Sequence, residues 1–200
     1  MIKVYFFGDS ICTGQGLSLH RGWVTRISET LSDRALVANA SANGRTTRQA
    51  LEAMPYEVQS HEPDVLIVQF GLNDCNCWET DRGLPRVSWR AFEANLMEIV
   101  DRARAFGVKE LILNTNHPTN KGLKYDCMNA SYNHCIRTVA RAKKTILNDM
   151  EKAFNESKYP ITNLLLSDGI HLSDKGHELY FSRTYPIVEK AIEKAGRNNA

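Results

Sequence analysis

The 200-residue chain has no apolar run approaching the roughly eighteen residues that a membrane-spanning helix needs, so no insertion into a bilayer is expected. Nor does its start resemble an export signal. The apolar stretch within Met1 to Gly8 is too short for the hydrophobic part of a signal peptide, and no small-residue cleavage site follows. A soluble, cytoplasmic protein is the expectation. An excess of one charge is also missing: 25 Lys plus Arg face 23 Asp plus Glu, interspersed without a basic block or basic-aromatic stripe, which argues against nucleic acid as a partner. The five cysteines, Cys12, Cys75, Cys77, Cys127 and Cys135, are odd in number and lack C-x-x-C spacing, so they read as reduced thiols with no metal site. No repeat, low-complexity tract or linker divides the chain, and with 42% hydrophobic content residues 1–200 read as one domain.

What is present is alternation. Ile2 to Phe7 is a continuous apolar run closed by Gly8, as a buried strand requires; Trp23, Ile27 and Leu31 then recur at helical spacing before a short run Leu36-Val37-Ala38. Thr46 to Met54 reads as a helix with Pro55 near its end, and Asp64 to Phe70 as a second apolar strand closed by Gly71. Phe92, Leu96, Ile99, Val100 and Ala103 mark a helix over 88–106, followed by the strand Glu110 to Asn114. The spacing then predicts one long helix from about Cys127 to Phe154, an apolar segment Ile161 to Leu166, and a closing amphipathic helix over 174–194 that Pro186 is placed to interrupt.

This order implies an α/β fold, a central parallel sheet with helices on both faces in three layers. Ligands of such sheets bind beyond the carboxyl ends of the strands, so the loops after Phe7, Ala38, Phe70 and Asn114 should converge on one rim. The longest irregular stretch, Cys75 to Val87, is placed to cover it.

Three of these loops, and the segment before the last helix, hold small polar groups: Ser10, Asn43-Gly44, Asn73-Asp74 and Asp168-Gly169-Ile170-His171. Singly, each has an ordinary reading as a turn or a helix cap. Together they contain a hydroxyl, a base, an acid to orient the base, and donors for a developing oxyanion, the set that acyl transfer needs.

In Phe7-Gly8-Asp9-Ser10, Ala42-Asn43-Gly44, Gly71-Leu72-Asn73-Asp74 and Asp168-Gly169-Ile170-His171-Leu172-Ser173, order and spacing resemble the SGNH hydrolases, also called the GDSL family. The motifs run from residue 7 to residue 173, nearly the whole chain. The resemblance implies a flavodoxin-like sheet and hydrolysis of esters or thioesters. Ser10 would be the nucleophile, His171 the general base and Asp168 the group orienting the imidazole. The oxyanion hole would use the backbone N–H groups of Ser10 and Gly44 and the side-chain amide of Asn73. Glycine at 44 leaves no Cβ in the path of the substrate oxygen, and the Asn73 amide is a fixed donor with no proton to lose.

A rival pair, Asp174 and His177, has the same Asp-x-x-His spacing. Asp174 falls at the start of the last helix, where a carboxylate suits the dipole, and His177 in its first turn, so both read as structural. Cys12 reads as small buried packing. Trp78, His117 and Arg45 are the candidate substrate contacts: Trp78 to stack on a sugar or hold an acyl chain, His117 as a rim histidine, and Arg45 to bind an anionic group. Trp89 has a weaker claim of the same kind.

The expected activity is a serine esterase acting through an acyl-enzyme on a small-molecule ester, without metal or organic cofactor. Acetyl on a sugar or other small molecule is favoured, because no long apolar lid suggests lipid capture. Lysophospholipase or thioesterase, acyltransferase, and a non-catalytic binding module are the alternatives.

Overall fold

The computed structural model describes residues 1–197. Five parallel strands, β1 (Ile2–Gly8), β2 (Ala35–Asn39), β3 (Val65–Gln69), β4 (Glu110–Asn114) and β5 (Ile146–Asn148), form one sheet in the order β2-β1-β3-β4-β5. Among the described residues eight α-helices accompany them: α1 (Ser10–Thr13), α2 (Trp23–Thr30), α3 (Thr47–Glu57), α4 (Trp89–Ala105), α5 (Leu123–Ala142), α6 (Met150–Asn155), α7 (Ile161–Leu164) and α8 (Asp174–Arg197).

The two-residue period of a strand sends alternate side chains of β1 to opposite faces. Val4 and Phe6 join a core with Trp23 and Ile27 of α2, Met150 and Phe154 of α6, and Tyr180 and Val188 of α8. Tyr5 and Phe7 join a second core with Met54 of α3, Phe92 and Ile99 of α4, and Ile136 and Val139 of α5. The result is the three-layer α/β/α sandwich that the alternation implied. Its strand order is the flavodoxin-like one, in which the chain reverses direction across the sheet between β1 and β3 and leaves a crevice at their carboxyl ends.

Two sequence expectations are corrected. The stretch from Cys127 to Phe154 is not one helix: α5 starts earlier, at Leu123, and ends at Ala142; Lys144 turns the chain at φ 50°, and β5 and α6 follow. Ile146, Met150 and Phe154 recur every four residues and mimic a helical stripe, although Ile146 lies in the edge strand and the other two in α6. Pro186 does not interrupt α8 either. Tyr180 and Thr184 before it and Val188 and Ala191 after it are all buried, so packing on the sheet holds both halves in line.

Among the described residues no helix is long and apolar enough to cross a membrane, and no group of three or more His, Cys, Asp or Glu side chains is placed to hold a metal.

Candidate active site

Ser10 follows β1 through a turn that its neighbours enforce. A Cβ at Gly8 would lie 2.6 Å from Cys12 Sγ and 2.8 Å from the Gln69 carbonyl oxygen, so only glycine lets β1 end this close to β3. Asp9 caps the single turn of α1 by accepting from the Ile11 N–H at 3.0 Å, and Gly14 ends it at φ 75°. Ser10 is thereby held at the head of α1, at the crevice.

The base arrives from the other end of the chain. After α7, Leu165 bridges to Leu172, the Leu166 N–H donates to the His171 carbonyl at 2.7 Å, and the Ser173 N–H donates to the Leu164 carbonyl at 2.9 Å. These bonds pinch residues 166–171 into a closed loop. Gly169, at φ 71°, seats the loop against Asn120, whose N–H donates to the Gly169 carbonyl at 2.8 Å. His171 Nε2 then lies 3.0 Å from Ser10 Oγ, and His171 Nδ1 lies 2.6 Å from Asp168 Oδ2. The second Asp168 oxygen accepts from the Ile170 and His171 N–H groups, both at 2.9 Å. Partial burial works against the charge of Asp168, but the bonds from His171 and the two amides outweigh it and lower its pKa to about 2. An ionised Asp168 keeps the imidazole proton on Nδ1 and leaves Nε2 free to accept from Ser10.

The loops that carry the donors expected for an oxyanion are tied to the Ser10 turn, Asn43 through Thr13 and Asn73 through Asp9. Gly44, at φ 74°, has open space where a Cβ would stand, and Arg86 Nη1 holds its carbonyl at 2.9 Å. Asn73 donates through Nδ2 to Asp9 Oδ2 at 3.3 Å. Burial pushes the Asp9 carboxyl up to about 7, against the lowering pull of the Ile11 N–H, and nearby Asp74 adds to the rise. Asp74, itself raised to about 6 by burial, accepts from both the N–H and the hydroxyl of Thr47 and so ties the Asn73 loop to the start of α3.

The rival pair stands elsewhere. His177 is buried, accepts the Trp23 N–H at Nδ1 (3.2 Å), and is pushed down to about 4 by burial; Asp174 pairs with Arg21 and Arg26. Two of the three expected substrate contacts are corrected. His117 is fully buried, with Nε2 2.8 Å from the Ile170 carbonyl, Nδ1 3.2 Å from the Tyr180 hydroxyl and its ring against Phe154. It braces the His171 loop from behind and has no surface to offer a ligand. Arg45 is committed to Glu57 by two bonds, of 2.5 and 2.8 Å, and its guanidinium covers Phe7. Trp78 is exposed, and so is Trp89. Cys12 is buried, and burial pushes its thiol well above the ordinary range.

Sequence reasoning gave no role to Asp9, although it lies within a quoted motif, or to Arg86. Nothing local in the sequence marks Arg86, because its contact with Gly44 spans 42 residues.

Comparison with known proteins adds relatives to this geometry. Esterase TesA of Pseudomonas aeruginosa is 29% identical over 188 residues, covering 92% of this chain and 87% of that protein. The isoamyl acetate-hydrolyzing esterase 1 homolog of Bos taurus is 29% identical over 214 residues, covering 95% and 82%. Thioesterase 1/protease 1/lysophospholipase L1 of Escherichia coli K12 is 26% identical over 164 residues, covering 82% and 72%. Among solved structures, the acetylxylan esterase Axe2 of Geobacillus stearothermophilus shares the fold with a TM-score of 0.79 at 23% identity, over 96% of this chain and 94% of that one. The model of the GDSL-like Lipase/Acylhydrolase family matches residues 6–179, a span that begins just before the Ser10 turn and ends beyond the His171 loop, and the chain belongs to that family.

Proposed function

We propose that the protein is a carboxylic ester hydrolase that removes a short acyl group, acetyl above all, from a small molecule. The observation that carries the reading is the continuous relay of 3.0 Å from Ser10 Oγ to His171 Nε2 and 2.6 Å from His171 Nδ1 to Asp168. Ser10 attacks the ester carbonyl as His171 takes its proton. The tetrahedral oxyanion is received by the N–H groups of Ser10 and Gly44 and by the Asn73 amide; His171 then returns the proton to the departing alcohol. Water, activated by the same imidazole, releases the acyl group and restores Ser10. All of these groups belong to the chain itself.

The names of the relatives support an acyl transfer to water, and those of the Bos taurus and Geobacillus proteins point to acetyl. The Escherichia coli relative carries a second reading, a thioesterase or lysophospholipase. A series of p-nitrophenyl esters from acetate to palmitate, with the wild-type protein beside Ser10→Ala, separates the two. Release that depends on Ser10 and falls with chain length is the expected result. A rise toward long chains overturns the acetyl preference, and no Ser10-dependent release from any ester or thioester overturns the hydrolase.

A further inference from the structure

Beside the Gly44 loop, an open groove of about 690 Å³ runs between the start of α3 and the loop formed by residues 78–86. Arg48 and Gln49 line it from the helix, and Trp78, Arg82, Pro85 and Arg86 from the loop. One carboxylate, Asp81, also faces it, so cationic groups outnumber anionic ones three to one. Among the described residues Arg48 and Arg82 form no ion pair with a carboxylate, and Arg86 makes none directly although the Asp74 carboxylate feels its charge. Three like charges lining one concavity repel one another and raise its positive potential.

The loop that carries these groups is built with some precision. Cys77 and Pro85 bridge across its base, and the Trp78 carbonyl accepts from the N–H groups of Asp81 and Gly83. Arg82 adopts φ 53°, a left-handed conformation that residues other than glycine resist and that functional loops retain. Trp78 keeps about half of its surface exposed (47%), with the Arg86 guanidinium 4.6 Å from its ring. Arg86 also holds the Gly44 carbonyl, so one side chain touches both the groove and the oxyanion loop. From there the connection continues to the nucleophile: Asn43 Oδ1 is 2.5 Å from Thr13 Oγ1, which lies 3.0 Å from the Ser10 carbonyl oxygen.

We propose that this groove receives the alcohol portion of the ester and selects an anionic ring, making the substrate a short-acyl ester of a carboxylated or phosphorylated sugar. The planar forks of Arg48, Arg82 and Arg86 match a carboxylate or phosphate, and the indole of Trp78 offers an apolar face to the ring. This rests on the ester reading above, and its test is chosen to stand apart from turnover.

The probes are glucuronate, glucose 6-phosphate and glucose, titrated calorimetrically into the Ser10→Ala protein at low ionic strength. At least one anion is expected to bind about tenfold or more tightly than glucose, as two or three partly exposed ion pairs allow. The preference should collapse in Arg48→Gln/Arg82→Gln and in about 0.5 M salt, where exposed charges are screened within a few ångströms. Tighter glucuronate identifies a carboxylated sugar and tighter glucose 6-phosphate a phosphorylated one. Equal or undetectable binding of all three, or a preference that survives in the double variant with its fold intact by circular dichroism, overturns the proposal. Anion-selective binding without any ester hydrolysis would sink the hydrolase reading alone; Ser10-dependent hydrolysis without anion selectivity would sink the groove alone.

Discussion

Replacing Asp9 with Asn should make the protein more stable and less active. The folded state holds the Asp9 carboxyl at about 7 against an ordinary 3.8, because the group is buried beside Asp74. Between those two values the folded chain keeps a proton that the unfolded chain has lost, so stability falls as pH rises through this window, and the penalty is complete above pH 7. That rise corresponds to about 4 kcal/mol at roughly 1.4 kcal/mol per tenfold change in acidity. Asparagine carries no such penalty, and its side-chain oxygen can still accept the Ile11 N–H as a helix cap. What it loses is the acceptor for Asn73, a bond of 3.3 Å worth about 1 kcal/mol. The net gain is about 3 kcal/mol at pH 8.5, or roughly 6–12 °C in melting temperature for a chain of this size. Removing an oxyanion donor outright costs about 10²–10³ in kcat; freeing Asn73 from its anchor should cost about tenfold. Thermal melts of the two proteins from pH 5 to pH 8.5 read the first effect, with the gap widening as pH rises. Ester turnover in Asp9→Asn, Asn73→Ala and the double variant reads the second, the combined loss being smaller than the product of the single ones. An Asp9→Asn protein that melts below wild type at pH 8.5, or a gap that stays constant with pH, would refute the reasoning.

Two further perturbations address the base and the loop that carries it. His171→Ala should lose about 10⁴-fold or more of the ester hydrolysis rate, while His177→Gln keeps most of it; the opposite outcome would exchange their roles. Gly169→Ala combines φ 71° with a Cβ 2.6 Å from the Asn120 carbonyl oxygen, so the loop must shift. A displacement of about 1 Å at the imidazole should lower kcat on the order of 10²-fold while β1 to β4 remain folded, which turnover and circular dichroism together would record.

The parts of the fold and site visible in the sequence were those with local signals. Ile2 to Phe7 and Asp64 to Phe70 announce buried strands because both faces of a central parallel strand are covered, and each is followed by a glycine turn. Ser10, Asn73, Asp168 and His171 were legible as a set of motifs, whereas the residues that seat the His171 loop, Asn120 and His117, lie about fifty residues away and carry no such mark. β5 was not legible. It has only three residues at an edge, and Ile146 continues a four-residue rhythm with Met150 and Phe154 that a helix would also produce. His117 and Arg45 lie in the expected loops, but which way a side chain turns depends on distant partners: Ile170 and Tyr180 for one, Glu57 for the other. Position on the rim was readable, whereas exposure was not.

The span between nucleophile and base also bears on when the protein becomes competent. Ser10 and His171 are 161 residues apart, and the loop bearing His171 is closed by Leu164, Leu165 and Leu172, which pack in the same core as α8. During synthesis Ser10, in the turn after the interior strand β1, emerges 161 residues ahead of His171. A partly made chain can therefore own a serine poised at a crevice without a base to activate it. Packing of α8 supplies the core against which the His171 loop closes, so activity is expected only once that core has formed.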